Sequence, residues 1–152
     1  MRYLRGVISD AALDKIFAGA TLSSDEATAI AQLGDLAAGV DLDHDDDEDT
    51  AYDTLKEHVC ALAKIDPATV PAVSPLPIDA EERDAWLTKL CAKLTSDRAR
   101  TLAYTVSYLV VVADLELAPS ESELLADLAD ALGFDDDRVR DLGSDIVDVI
   151  TP

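Results

Sequence analysis

The sequence predicts an all-α protein, a single compact bundle of about seven helices built from two pseudo-symmetric repeats. Three observations support this: the composition, a series of helix-capping signals, and a stretch of sequence that occurs twice. Aromatic residues make up only 5% of the chain and there are six glycines, while Ala, Leu and Val are abundant. That composition favours helices over sheets. A chain of 152 residues has the usual length of one domain, so we expect residues 1–152 to share one core.

Capping signals predict where the helices begin. In a capping box a polar side chain accepts a hydrogen bond from the first turn, and a carboxylate three residues later reaches back. Three such boxes occur, at Ser23 and Glu26, at Asp79 and Glu82, and at Ser120 and Glu123. Further caps are expected at Ser9 or Asp10, at Asp47, at Ser96, and at Asp135 or Asp136. The predicted helices are 10–18, 24–40, 47–64, 80–93, 97–113, 120–132 and 136–149.

Apolar positions indicate how these helices pack. Helix 24–40 carries spaced large residues with many alanines, which permit close approach of its neighbours, and helix 97–113 is apolar on most faces and should be central. Residues 65–78 contain four of the six prolines and cannot form a continuous helix, so they are the predicted connector. Core positions on helices 80–93 and 120–132 are expected at Trp86, Leu87, Leu90, Leu125, Leu128 and Leu132.

The duplication is visible in two pairs of segments. Residues 22–27 (LSSDEA) return as 94–99 (LTSDRA), and 41–43 (DLD) return as 114–116 (DLE). The two pairs are offset by 72 and 73 positions, so one inserted residue in the intervening helix keeps both in register. We place repeat one at about 20–66 and repeat two at about 94–150.

A cluster of acids recurs with the helices, with D-x-[DE]-x4-E spacing in both repeats. In each, the first acid follows an apolar helix and the last lies in the first turn of the next one. Crowded carboxylates require water, salt or a bound cation, and oxygen ligands suit Ca²⁺, Mg²⁺ or Mn²⁺. The spacing therefore predicts a divalent-metal site whose candidate ligands are Asp41, Asp43, Glu48, Asp114, Glu116 and Glu121.

An alternative explanation of these acids needs no metal. Glu48 and Glu121 lie at helix N-termini, where the helix dipole stabilises a carboxylate, and charge runs in acidic proteins usually face solvent. The first loop also imitates an EF-hand only in part. Its sixth position holds Asp46 where a glycine is needed, and its twelfth holds Tyr52 where a bidentate Glu is needed. We therefore do not expect a true EF-hand.

The net charge of −20 narrows the possible partners. The chain has 24 Asp but only five Lys, which is typical of a halophilic protein solvated in concentrated salt. Nucleic acid and anionic membranes are unsuitable partners for such a surface, whereas cations or an unidentified protein partner remain possible. The longest apolar run, 106–113, is too short for a direct membrane span, and acids interrupt any signal peptide. The expected location is cytoplasmic.

Few residues suggest catalysis. Cys60 and Cys91 stand in separate predicted helices without a C-x-x-C pair, so we interpret them as buried reduced thiols, with a redox role as the alternative. The chain has two histidines and none of the common hydrolase, metalloprotease, P-loop or dinucleotide motifs. We do not expect an enzyme, although a hydrolase using only paired carboxylates remains an alternative.

The second repeat resembles the TerB-like family, which includes the tellurite-resistance protein TerB and the N-terminal domain of DjlA-type membrane chaperones. The resemblance rests on residues 111–121 (VVADLELAPSE) and 124–133 (LLADLADALG), and it covers about residues 20–150. The family has Gly where this chain has Leu115. The resemblance implies a duplicated seven-helix fold, an acidic divalent-metal site at the six acids named above, and a role in tellurium or stress responses. Members are not established as enzymes, and this chain lacks the J-domain and membrane span of the chaperones.

Overall fold

The computed structural model describes residues 10–39, 46–71, 79–111 and 119–150 and shows an all-helical fold in these ranges. Seven α-helices follow one another along the described chain, with a short 3-10 turn at Pro67–Thr69. They are α1 (Asp10–Phe17), α2 (Ser24–Gly39), α3 (Asp46–Leu62), α4 (Ala80–Cys91), α5 (Asp97–Val111), α6 (Pro119–Leu132) and α7 (Asp136–Ile150). Every predicted start lies within one residue of the observed start, and the predicted all-α bundle of seven helices is confirmed.

Four of the predicted caps make the expected bonds. Ser23 and Glu26 form a reciprocal capping box, with the Glu26 amide donating to Ser23 Oγ at 3.1 Å and the Ser23 amide donating to Glu26 Oε1 at 3.2 Å. Asp79 accepts from the Glu82 amide at 2.8 Å, Ser96 from the Ala99 amide at 3.1 Å, and Asp135 from the Arg138 amide at 2.8 Å. The caps predicted at Asp47 and Ser120 are not cap residues, because α3 begins at Asp46 and α6 at Pro119, which makes each of them the second residue of its helix.

One hydrophobic core receives side chains from all seven helices. Helix α5 is the central element, because ten of its fifteen residues are buried, and its most extensive contact is with α2. Leu87, Leu90, Leu125, Leu128 and Leu132 are buried as predicted. The prediction for Trp86 was wrong in part, because its ring is only half-buried against the core edge and Lys89 Nζ lies 4.8 Å from the ring centroid.

The capping and burial pattern of α2 recurs in α5 at one constant offset. Ser23 and Ser96, which cap α2 and α5, are 73 positions apart, as are the first residues of α3 and α6. The burial classes of residues 28–37 match those of 101–110 one for one, including the less buried pair Asp35 and Tyr108. The expected inserted residue inside this helix is therefore not needed, because caps and burial keep the same offset across it.

The first helix of each half follows the same pattern. Leu13, Ile16 and Phe17 of α1 are buried with exposed residues between them, and Leu87, Leu90 and Cys91 of α4 repeat that spacing. Two-helix units of similar burial, α1–α2 and α4–α5, therefore occur, with an offset of 74 positions between the first helices and 73 between the second. These units begin earlier than the predicted repeat boundaries of about 20 and 94.

Candidate functional site

The predicted metal ligands fall at the junctions between helices. Glu48 lies in the first turn of α3 and Glu121 in the first turn of α6, as the sequence predicts, although their side chains are not among those the structure describes. Asp41, Asp43, Asp114 and Glu116 lie outside the described residues. The predicted ligands therefore follow α2 and α5 in the chain and end on α3 and α6.

Helices α2 and α5, which precede the two acidic loops, are joined at their N-terminal ends by one carboxylate. Glu26 Oε1 accepts from the Ser23 amide in its own capping box. Its other oxygen, Oε2, faces the start of α5 and accepts from the Thr95 amide at 3.2 Å and the Ser96 amide at 3.4 Å, together with both hydroxyls. The corresponding position in α5 is Ala99, which has no carboxylate of its own. One side chain therefore serves two helix starts.

The electrostatics of Glu26 follow from this geometry. Its side chain is 7% exposed, and that burial acts to raise its pKa. The hydrogen bonds from the backbone amides of Ser23, Thr95 and Ser96 and from the Thr95 hydroxyl act in the opposite direction and together outweigh burial. The pKa of Glu26 is therefore lowered, and the carboxylate is charged at neutral pH. This buried charge is part of the framework between the two halves of the chain.

A second buried charge joins α4 to α6. Arg83 is 9% exposed, and its Nη2 donates to Asp127 Oδ2 at 2.7 Å and to Glu123 Oε1 at 3.1 Å. Burial acts to lower the pKa of Arg83, but the two carboxylates raise it overall. Glu123 was predicted to complete a capping box with Ser120, and the structure instead directs its carboxylate to Arg83. Sequence reasoning missed this contact because the partners are 40 and 44 residues apart.

Metal ligands and thiol nucleophiles are the other groups that could make a functional site. Within the described ranges, no group of three or more His, Cys, Asp or Glu side chains could hold a metal ion. Cys60 and Cys91 are free and buried, as predicted. Burial raises the pKa of both thiols, that of Cys91 to about 11, so neither is an activated thiolate at neutral pH. Among the described helices, none has the length and apolar character to span a membrane.

Comparison with protein-family models, with curated proteins and with solved structures finds no match to this chain. The resemblance to the TerB-like family therefore rests on the residues quoted for it. The six predicted metal ligands likewise stay a prediction, because the side chains that carry it lie outside the described part of the structure.

Proposed function

We propose that this chain is a TerB-like, metal-responsive scaffold whose acidic interhelical loops bind a divalent cation and whose helical surface contacts a protein partner. The observation that carries the proposal is the matched placement of Glu48 and Glu121. Both lie in the first turn of helices that begin 73 positions apart, each after a helix of similar length. A role in tellurite resistance or another stress response is what the family resemblance adds, and the proposed location is the cytoplasm.

The packing of α2 against α5 supports a shared site. These helices make the most extensive contact in the described fold, and Glu26 joins their N-terminal ends. Each acidic loop follows the C-terminal end of one of them. Two helices that start together and pack together favour loops that leave on the same side of the bundle. Carboxylates from both loops would then supply the several oxygen ligands that Ca²⁺, Mg²⁺ or Mn²⁺ requires.

A titration of thermal stability tests the proposal. Ca²⁺, Mg²⁺ and Mn²⁺ are added at a fixed high ionic strength to wild type and to the loop variant Asp114→Asn with Glu121→Gln. We expect saturable stabilisation of wild type, reaching about 2.7 kcal/mol at a hundred times the dissociation constant. The loop variant should lose it, because each substitution removes an anionic ligand.

A matched control separates binding from screening. The α7 variant Asp141→Asn with Asp148→Asn changes the net charge by the same amount, on two exposed positions of α7. It should respond to divalent ions as wild type does. A loss of response in both variants, or no saturable response in wild type, would reject a specific metal site at the loops.

The second candidate function is a protein-interaction module with no specific metal site, its acidity reflecting a halophilic surface. The half-buried Trp86 favours this alternative, since its ring is accessible beside Lys89 on the outer side of α4. Tryptophan is enriched in protein interfaces because it combines large apolar area with a polar edge. The absence of saturable stabilisation in the divalent titration would favour this candidate over the first.

A further inference from the structure

A cleft of about 180 Å³ lies where α7 covers α1 and α5, and we refer to it as the α7 cleft. Its apolar wall comes from all three helices. The apolar lining residues are Ile16 of α1, Leu102 of α5, and Leu142, Ile146 and Val149 of α7. The cleft is partly open to solvent, so a small molecule can enter it from the surface.

Cationic groups stand among the residues that line the α7 cleft. Lys15 and Arg98 are both exposed and both line it, and Asp145 is the one acid among the described residues of the lining. Arg98 is held in position, because its Nη2 donates to the carbonyl of Ile16 at 2.6 Å and to that of Ala18 at 3.4 Å. Within the described residues its Nε and Nη1 make no hydrogen bond. Each of these two groups can still donate one charge-assisted hydrogen bond to a carboxylate oxygen.

We propose that the α7 cleft binds a small aliphatic carboxylate, with its chain against Leu102 and Ile146 and its carboxylate at Arg98 and Lys15. Size supports a chain of about six carbons, because an apolar cavity of roughly 150 Å³ accommodates benzene. Charge supports an anionic head group. In a chain of net charge −20, the described residues that line this cleft include two cations and one acid.

Methyl NMR with hexanoate as the probe tests the proposal, at fixed ionic strength and pH 7. Acetate and hexan-1-ol serve as probes that lack the chain and the charge, respectively. We expect hexanoate to produce saturable shifts at the methyl groups of Ile16, Leu102 and Ile146, with both other probes at least roughly tenfold weaker. A tenfold weaker affinity is the loss expected when hexan-1-ol lacks one charge-assisted hydrogen bond, and acetate should lose at least as much because it lacks the buried chain. Equal binding of hexan-1-ol would overturn the assignment of an anionic ligand.

Two variants of neighbouring residues locate the site. Val149→Phe places a larger side chain in the cleft and should abolish hexanoate binding. Val147→Phe adds the same bulk at a position of α7 that is 44% exposed and should leave binding unchanged. Lys15→Gln should weaken binding severalfold without disturbing the Arg98 contacts to α1. Equal effects of the two phenylalanine variants on hexanoate binding would overturn the proposal. So would a dimer that forms without hexanoate and is lost in Val147→Phe, because this face of α7 would then be a contact between two copies of the chain.

Discussion

The carboxylate of Glu26 replaces a residue that the second half of the chain lacks. An isolated capping box satisfies two amides of one helix. Here the α5 start has Ser96 as its cap but Ala99 in place of the glutamate, and Glu26 supplies the missing acceptor from α2. A side chain that caps its own helix has thereby become a bond between helices, which makes it more costly to remove than an ordinary cap.

Glu26→Gln tests this role. The amide group keeps the size of the side chain but points an NH₂ at backbone donors, so we expect the free energy of unfolding to fall by about 1–3 kcal/mol at pH 7. Urea unfolding at constant ionic strength measures it. The control is Glu57→Gln, which changes an exposed glutamate on α3 and should cost little. Equal losses in the two variants would contradict a special role for Glu26.

The lowered pKa of Glu26 gives the same prediction a pH dependence. The folded protein binds this proton less readily than the unfolded chain does. Its contribution to stability is therefore complete above the unfolded pKa, about 4.3 for glutamate, and is lost as the pH falls through the lower folded pKa. The difference between wild type and Glu26→Gln should accordingly shrink below about pH 4. A difference that stays constant to pH 2 would contradict it.

At the scale of the element, two helices are followed by a residue with positive φ, and the two residues differ in how easily they adopt that conformation. In the turn after α3, Lys64 has φ 58°, and in the turn after α6, Gly133 has φ 80°. In both, the next residue donates its amide back into the last turn, Ile65 to the carbonyl of Cys60 and Phe134 to that of Ala129. This C-terminal motif requires a left-handed residue, which glycine adopts without cost and lysine does not.

Lys64→Gly should therefore stabilise the protein, by up to about 1 kcal/mol. The reciprocal change Gly133→Ala should destabilise it by a similar amount, through the backbone alone, since an added Cβ there meets no atom within 4 Å. Thermal and urea unfolding of the two single variants measure both effects. Lys64→Ala, which removes the side chain but keeps the Cβ, is the control for the lost charge. A stabilisation as large in Lys64→Ala would attribute the effect to charge instead.

Local signals explain why the helices were predictable and their contacts were not. Ser23, Asp79 and Ser96 each accept a hydrogen bond from an amide three residues later. Their capping roles can therefore be predicted from the neighbouring sequence. The predicted helix extended to residue 64 and missed the left-handed turn, because Lys64 is neither the glycine nor the asparagine that usually indicates one. Arg83 and Asp127 meet through tertiary packing over 44 residues, and no local pattern indicates that. The same holds for the α7 cleft, which three separate helices form.

For the candidate metal site too, the sequence predicts the positions of the acids along the chain but not their arrangement in space. The positions of Glu48 and Glu121 in first turns follow from capping and periodicity, and the structure has them there. Whether carboxylates from the two loops converge depends on the path of residues 40–45 and 112–118, which lie outside the described ranges. Loop backbones are set by turn residues and tertiary contacts more than by periodicity, so spacing alone predicts the ligands and not their arrangement.

At the scale of the whole molecule, the charge of −20 is a source of self-repulsion. Helix α7 concentrates it, because Asp141, Asp145 and Asp148 are exposed at three- and four-residue spacing on one side of the helix. Like charges at that spacing destabilise a helix by a few tenths of a kcal/mol for each pair. Salt reduces the repulsion, since the screening length falls from about 10 Å at 0.1 M to about 3 Å at 1 M.

The stability of wild type should therefore rise with monovalent salt, and the α7 variant should show less of that rise. At about 0.1 M NaCl we expect Asp141→Asn with Asp148→Asn to unfold at a higher urea concentration than wild type, by roughly 0.5–1 kcal/mol in free energy. At about 1 M the two should coincide, because screening has already removed the repulsion that the variant removes. Potassium chloride must give the same result as sodium chloride if screening is the cause. A wild-type stability that does not change with salt would mean that the acids are spaced widely enough to be solvated without mutual repulsion, and the halophilic interpretation of the composition would fail with it.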